Sequence, residues 1–275
     1  MRSARLRATS PGTNPAWLGR LGASASLALV LALPVAGRSA SLAETIKRVK
    51  PAVVGVGTHQ AIRRPPDLLL GTGFAVGDGS YVVTNYHVVR DHQTAIGKEH
   101  LVVFLGEGDN PDRRRAKVVA SDAKHDTALL RFEGSPISPL ALAAASSVEE
   151  GQAVAFTGYP IGAVYGLRPV THRGIVSAVT PIAIPQYSSH VLDGSMLQRL
   201  RDRFVVYQLD ATAYPGNSGS PLYDPGSGEV IGILSSSFVK QSREKLLSDP
   251  SAISFAIPIS YALELMRGAD VASER

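Results

Sequence analysis

The sequence contains no cysteine, and this absence removes several kinds of chemistry. A disulfide framework, a thiolate nucleophile and a lipid-modified cysteine are all excluded. The stability of the folded chain therefore has to come from a packed core. A chain of 275 residues, 44% of them hydrophobic, is long and apolar enough to form one, in one or two domains.

Charged residues are also scarce, at 19%, and they are unevenly placed. Residues 1–50 hold eight of the 28 Lys and Arg but one of the 23 acids, which leaves 20 basic against 22 acidic residues in the remainder. The net charge of +5 therefore belongs to the amino terminus, and the body of the chain is nearly neutral. This distribution argues against a nucleic-acid partner.

The sequence has no apolar run long enough to read as a clear membrane span. Four arginines within the first 20 residues precede an uncharged stretch over 21–37, which is shorter than the roughly 20 residues that cross a bilayer. Its many Ala, Ser and Gly residues favour a cleaved export signal within residues 1–41, so we expect a periplasmic or secreted protein. An uncleaved anchor is the alternative, and only then would the chain contact a membrane.

Long helical patterns are absent after residue 50, and short β-rich runs take their place. Six such runs occupy residues 51–132 and six more occupy residues 148–258, with a proline- and alanine-rich linker at 133–147. Asp78-Gly79 between two of the first runs is a strong hairpin signal. The pattern predicts an all-β fold of two six-stranded antiparallel barrels.

Only short helices are expected in this fold. A helical lead covers Leu42–Val49, and a helical turn is expected at His87–Arg90. A carboxy-terminal helix over residues 260–266, capped by Ser260, is followed by a tail over 267–275.

The stretch with the strongest chemical signal is Gly216-Asn-Ser-Gly-Ser220, between two strand-like runs. Its glycines allow a tight turn in which Ser218 is presented as a nucleophile. The N–H groups of Gly216 and Ser218 would then point outward, as an oxyanion hole requires. A plain β-turn is the alternative interpretation, because Asn, Ser and Gly are common turn residues.

The position of the histidines restricts the type of catalytic serine. All seven precede Ser218, which excludes the order serine, acid, histidine, and the turn also breaks the Gly-x-Ser-x-Gly pattern. The order that fits is histidine, aspartate, serine. Candidates are His87, at the end of a strand, and Asp126, directly before an apolar strand. Taken singly, His87 could be a core histidine and Asp126 a turn or capping residue.

Several motifs together resemble the trypsin-fold proteases of the HtrA/Deg type, from about Leu42 to Met266. They are Gly71-Thr-Gly-Phe-Ala-Val, Thr84-Asn-Tyr-His-Val-Val, Asp126-Thr-Ala-Leu-Leu, Thr171-His-Arg-Gly-Ile-Val-Ser177, Gly216-Asn-Ser-Gly-Ser-Pro-Leu, Gly228-Glu-Val-Ile-Gly-Ile and Phe255-Ala-Ile-Pro.

The resemblance implies that His87 is the general base, Asp126 its orienting carboxylate and Ser218 the nucleophile. The expected function is a serine endopeptidase that cuts unfolded or flexible polypeptides through an acyl-enzyme, in envelope protein quality control. The alternative is a non-catalytic peptide-binding or chaperone protein on the same fold. No cofactor and no metal are expected, and the oligomeric state stays open.

The resemblance also locates a specificity pocket. Its base should fall at Thr212 and Ala213, and its wall at Ser235, Ser236 and Ser237. No acidic residue lies at the bottom of this pocket, which disfavours substrates with Arg or Lys before the cleaved bond. Small to medium aliphatic residues are expected at that position instead.

This chain departs from the family pattern at several points. Family members usually carry PDZ domains after the protease, and none is expected here. Ser220 replaces a glycine of the usual motif. The neutral Asn217 cannot form the ion pair with a freed amino terminus through which digestive relatives are activated. The segment 180–202 resembles the family's sensor loop, although a solvated insertion is an equal alternative. The insertion 238–251 reads as a solvated face.

Overall fold

The computed structural model describes residues 40–92, 98–108, 111–144, 148–160, 167–182, 204–235 and 253–272. Within these ranges all twelve predicted strands are present, most of them one to six residues longer than the apolar runs that predicted them. The strands are β1 (Val53–His59), β2 (Asp67–Val76), β3 (Tyr81–Thr84), β4 (His100–Leu105), β5 (Asp112–Asp122), β6 (Thr127–Phe132), β7 (Ala153–Gly158), β8 (Val170–Ile182), β9 (Phe204–Asp210), β10 (Pro221–Tyr223), β11 (Val230–Ser235) and β12 (Ile253–Pro258).

The strands form two closed antiparallel barrels. The first has the order β1-β2-β3-β6-β5-β4 and the second the order β10-β11-β12-β9-β8-β7. The hairpin predicted at Asp78-Gly79 joins β2 to β3, with Val76 opposite Tyr81. Gly77 and Gly79 take positive φ angles of 63° and 82°, which a residue with a side chain adopts only under strain. The predicted fold class is therefore confirmed.

Three apolar clusters stabilise this arrangement. One fills the first barrel, around Val54 and Leu130, and another fills the second, around Phe156 and Leu209. The third lies between the barrels and joins residues of both to the carboxy-terminal helix. Residues that face the boundary between the barrels are therefore held on packed strands.

Three short α-helices accompany the barrels in the described ranges: α1 (Leu42–Val49), α2 (Tyr86–Val89) and α3 (Ile259–Gly268). Helix α1 begins with a capping box, in which the Ser41 hydroxyl accepts from the Glu44 N–H and the Glu44 carboxylate accepts from the Ser41 N–H. None of the described helices has the length and apolar character needed to cross a membrane.

The prediction that Ser260 caps the last helix is wrong. Strand β12 runs directly into α3, so Pro258 takes the N-cap position and Ser260 lies inside the first turn. No side chain caps this helix. Its ridge of Ile259, Ala262 and Met266 instead packs into the cluster between the barrels. Tertiary packing therefore sets where the helix begins.

Candidate active site

His87 lies on α2, immediately after strand β3 of the first barrel. The N-cap of this short helix is Asn85, whose side-chain amide donates to the backbone carbonyl of Asp126 at 3.1 Å. The Tyr86 N–H donates to the same carbonyl, also at 3.1 Å. The start of α2 is thereby fixed to the turn before β6. The His87 side chain stays 24% exposed, so its ring reaches the protein surface.

Asp126 is buried, with 4% of its surface exposed, and it faces His87. Its carboxylate accepts from the His87 backbone N–H at 2.9 Å and lies 2.8 and 3.0 Å from His87 Nδ1. Because an ionised carboxylate has only acceptors, this contact places a proton on Nδ1 and leaves Nε2 as the basic nitrogen. The backbone of Asp126 has a positive φ of 49°, a strained conformation outside glycine that is often found at functional sites.

The second barrel contributes a further donor to this carboxylate. The hydroxyl of Ser235, at the end of β11, donates to Asp126 Oδ2 at 3.0 Å, and both residues are buried. Sequence reasoning assigned Ser235 to a pocket wall and missed this contact. No local pattern could have revealed it, because 109 residues separate the two partners.

Ser218 lies in a tight turn of the second barrel and is buried, with 3% of its surface exposed. Gly216 and Gly219 have φ angles of 99° and 88°, which explains the two glycines on either side of the serine. The Asn217 N–H donates to the Tyr214 carbonyl at 3.0 Å, and the Gly219 N–H donates to the Leu234 carbonyl at 2.9 Å. The turn is therefore held by its own backbone and by strand β11.

Gly71, on β2, lies between the serine turn and the helix that carries His87. A Cβ atom added to Gly71 would meet the Ser218 carbonyl oxygen and the Val88 side chain, each at 2.9 Å. Only a residue without a side chain allows this close approach. The two elements therefore pack against the same glycine, although 131 residues of sequence separate His87 from Ser218.

The residues expected to form a specificity pocket lie just before the serine turn. Thr212 and Ala213 are half-buried, and the Ala213 N–H donates to the Ser254 hydroxyl at 3.0 Å. That hydroxyl donates in turn to the Ala211 carbonyl at 2.6 Å, so Ser254 fixes this segment to β12. Asp210, an acidic residue two positions before Thr212, is exposed.

Ser236 and Ser237 lie outside the described residues, as do most of the export signal, most of the segment 180–202 and the whole of the segment 238–251.

His172, on β8, packs against the same region from the second barrel. Its ring stacks on Phe156, with centroids 5.0 Å apart, and lies 5.9 Å from the ring of Tyr214. Burial lowers the pKa of His172, and its Nε2 is buried without a hydrogen-bond partner in the described chain. The neutral ring is therefore the form that fits this site.

Outside this site, two histidines each pair with one carboxylate. His125 Nδ1 lies 2.5 Å from Asp122 Oδ2, and His59 Nδ1 lies 2.6 Å from Asp67 Oδ1. The described residues contain no cluster of three or more His, Asp or Glu side chains that could hold a metal ion.

Comparison with known proteins agrees with the fold and with the motifs. The family model described as "Trypsin-like peptidase domain" matches residues 71–233. A probable periplasmic serine endoprotease DegP-like of Halomonas elongata is 32% identical over 216 residues, which cover 78% of this chain and 37% of the relative. A protein of the same description from Hahella chejuensis is 33% identical over 199 residues, which cover 71% of this chain and 34% of that relative. The chain thus spans little more than a third of these curated relatives.

Two solved structures share the fold. The serine endoprotease from Yersinia pestis superposes with a TM-score of 0.57 at 26% identity, covering 84% of this chain and 66% of that one. An HtrA-type protease, AlgW, with a tripeptide superposes with a TM-score of 0.58 at 26% identity, and the match covers 83% of this chain and 63% of that one. With two six-stranded barrels and a family match over most of both, the chain belongs to the trypsin-like peptidase family, among its HtrA and DegP-like members.

Proposed function

We propose that this protein is a serine endopeptidase in which Ser218 is the nucleophile, His87 the general base and Asp126 the carboxylate that orients the base. The observation that carries the proposal is the buried chain of hydrogen bonds from Ser235 through Asp126 to His87 Nδ1. The helix that carries His87 and the glycine-flanked turn of Ser218 lie against the same glycine, because the nearest neighbours of Gly71 are the Val88 side chain and the Ser218 carbonyl oxygen. Membership of the trypsin-like peptidase family supports the same assignment.

In the proposed first step, His87 Nε2 takes the proton from the Ser218 hydroxyl as its oxygen attacks the substrate carbonyl carbon. The imidazolium that forms lies beside the ionised carboxylate of Asp126, which stabilises the positive charge. The negative charge on the substrate oxygen is stabilised by the N–H groups of Gly216 and Ser218. The carbon–nitrogen bond then breaks, and His87 returns the proton to the leaving amine.

The second step removes the acyl group from Ser218. Water attacks the ester carbonyl, His87 again accepts a proton, and the same two N–H groups stabilise the oxyanion. The bond between the carbonyl carbon and the Ser218 oxygen then breaks, and His87 returns the proton to that oxygen as the acid product leaves. The positive φ of Gly216 is consistent with this role, since it turns the backbone sharply just before the nucleophile. Among the backbone hydrogen bonds of the described turns and loops, none has the Gly216 N–H as its donor, so this group is available to a substrate oxygen.

A fluorophosphonate probe tests this assignment, because it reacts only with an activated serine. The wild-type protein should be labelled and should digest casein, whereas Ser218→Ala should do neither. Ser220→Ala is the matched control, since Ser220 is a buried serine of the same turn, and it should be labelled like the wild type. Binding of casein by the wild type without cleavage or labelling would instead favour the non-catalytic peptide-binding function.

We also propose a preference for small to medium aliphatic residues before the cleaved bond. The proposal rests on the half-buried Thr212 and Ala213, neither of which bears a charge, and on the exposure of Asp210. Cleavage sites mapped by mass spectrometry in unfolded casein should follow Val, Ala, Ile or Leu. A majority of cuts after Arg or Lys would overturn this preference.

We propose, finally, that the protein is exported, with its signal within residues 1–41, and acts on unfolded envelope proteins. The support comes from the basic and apolar pattern of this segment and from relatives described as periplasmic. Cell fractionation and amino-terminal sequencing test the location. A shortened, soluble protein in the envelope fraction is expected, and a full-length cytoplasmic protein would contradict export.

A further inference from the structure

Thr72, in the Gly71-Thr-Gly73 segment of β2, holds the backbone of the serine turn from the opposite barrel. Its hydroxyl donates to the Gly216 carbonyl at 2.7 Å, and its backbone N–H donates to the Ser218 carbonyl at 2.8 Å. Thr72 is completely buried, so water cannot replace these contacts. A single residue of the first barrel thus binds the turn on both sides of Asn217.

These contacts fix two peptide groups at both ends. In the peptide group between Gly216 and Asn217, the carbonyl accepts from the Thr72 hydroxyl and the N–H donates to the Tyr214 carbonyl. In the peptide group between Ser218 and Gly219, the carbonyl accepts from the Thr72 N–H and the N–H donates to the Leu234 carbonyl. The peptide that carries the Ser218 N–H, a proposed oxyanion donor, lies between these two. Its orientation is therefore coupled to Thr72.

Thr72 is itself held in one rotamer and position. Its hydroxyl accepts from the Tyr159 N–H at 3.0 Å, and its carbonyl accepts from the Thr84 hydroxyl at 2.7 Å. A Cβ atom on Gly219 would lie 1.9 Å from the Thr72 carbonyl oxygen, so the turn packs directly on this strand. Thr84 ends β3, three residues before His87. The hydrogen bonds therefore continue from the turn to the strand that precedes the proposed base.

We propose that Thr72 is a positioning residue, which selects the backbone conformation of the serine turn in which the proposed oxyanion donors face the substrate. Gly216 has no side chain and a positive φ, so its backbone can adopt several conformations. The Thr72 hydroxyl favours one of them through the Gly216 carbonyl. The inference rests on the proposed peptidase function and extends it to a residue that contacts no substrate.

The test compares Thr72→Val, which keeps the shape and removes the hydroxyl, with Thr72→Ser, which keeps the hydroxyl. The expected loss in kcat for Thr72→Val is about 10-fold to 100-fold, because the Gly216 carbonyl and the Tyr159 N–H lose the hydroxyl with which both are paired. The KM should change by less than about twofold, since the defect affects the transition state more than substrate binding. Thr72→Ser should restore kcat to within about threefold of the wild type.

Thr157→Val is the matched control. Thr157 is also completely buried, and its hydroxyl bonds to Thr171 Oγ1 at 2.8 Å and to the Tyr223 hydroxyl at 2.9 Å, neither of which belongs to the serine turn. This variant should lose thermal stability as Thr72→Val does but keep its kcat. If Thr72→Val is not recovered folded, Thr72→Ala replaces it with the same expectations.

The outcomes separate the two proposals. A wild type that fluorophosphonate does not label would refute the peptidase function itself. A labelled, active wild type with an unchanged kcat in Thr72→Val would overturn only the role of Thr72. An equal loss in Thr72→Ser, or a loss confined to KM, would also overturn it. A slower rate of fluorophosphonate labelling in Thr72→Val, recovered in Thr72→Ser, would support it.

Discussion

Replacement of Asp126 by asparagine tests the role of the proposed base His87 most sharply, because the hydrogen bonds around this side chain restrict how the asparagine amide can be oriented. Oδ1 accepts from the His87 backbone N–H, while Oδ2 accepts from the Ser235 hydroxyl and faces His87 Nδ1. If the amide oxygen keeps the bond to the His87 N–H, the amide nitrogen faces Nδ1. Nδ1 must then become an acceptor, and the proton moves to Nε2.

A histidine protonated at Nε2 has no lone pair there with which to accept a proton from Ser218. The same exchange in a chymotrypsin-type triad lowers kcat about 10⁴-fold, and we expect a loss of this order for Asp126→Asn. This factor corresponds to about 5.4 kcal/mol of transition-state stabilisation. The assay is the rate of hydrolysis of a chromogenic peptide, with thermal unfolding followed in parallel to show that the variant is folded.

Asp122→Asn provides the matched control four residues earlier. Asp122 also bonds to a histidine Nδ1, that of His125. Burial raises the pKa of Asp122, but the hydrogen bonds from His125 and Lys124 and the electrostatic attraction of His125 together outweigh burial and lower it overall. His125 stacks on Tyr261, with ring centroids 4.0 Å apart. This change should leave kcat within about twofold. The reasoning is refuted if folded Asp126→Asn retains more than a tenth of the wild-type rate.

Three further predictions follow from the geometry of the site. Gly219→Ala should lower the free energy of unfolding in urea by at least about 2 kcal/mol more than the control Gly151→Ala, because both have positive φ but only Gly219 has neighbours that a Cβ would strike. A similar effect of both would contradict this. Ser235→Ala should lower kcat about tenfold through the lost bond to the Asp126 carboxylate, and an unchanged kcat would contradict this expectation. Since burial lowers the pKa of His172, the neutral ring stabilises the fold above pH 6.5, and this contribution disappears on acidification. The melting temperature should therefore fall less between pH 7.5 and 5 in His172→Gln than in the wild type, and equal falls would refute this.

The strands could be predicted from the sequence because each one combines an apolar run with turn residues at its ends. Three strands coincide with such runs from end to end: Tyr81–Thr84, Thr127–Phe132 and Pro221–Tyr223. Where strands extend further, as β5 does over Asp112–Asp122, the added residues include exposed charged side chains on a paired strand. Pairing with neighbours adds residues that have no apolar signal of their own.

The contacts between the barrels could not be predicted in the same way. The bonds from Thr72 to Gly216 and from Ser235 to Asp126 join residues 144 and 109 positions apart. Threonine and serine are common in strands, so neither residue type nor spacing marks these two. Their roles follow only from the position of one barrel against the other.

Local rules also failed where tertiary packing opposed them. Ser260 is a favourable N-cap residue, but the helix begins at Ile259 because Ile259, Ala262 and Met266 pack between the barrels. Burial of three apolar side chains outweighs a capping bond, which contributes about 1 kcal/mol.

The structure of a phosphonate adduct would examine the proposed catalytic geometry in a single experiment. We expect the phosphorus atom to be bonded to Ser218 Oγ, with one phosphonyl oxygen within about 3 Å of the backbone nitrogens of Gly216 and Ser218. His87 Nε2 should donate a hydrogen bond to an oxygen of the same adduct. An adduct on another residue, or one on Ser218 with its oxygen directed away from both nitrogens, would contradict the account.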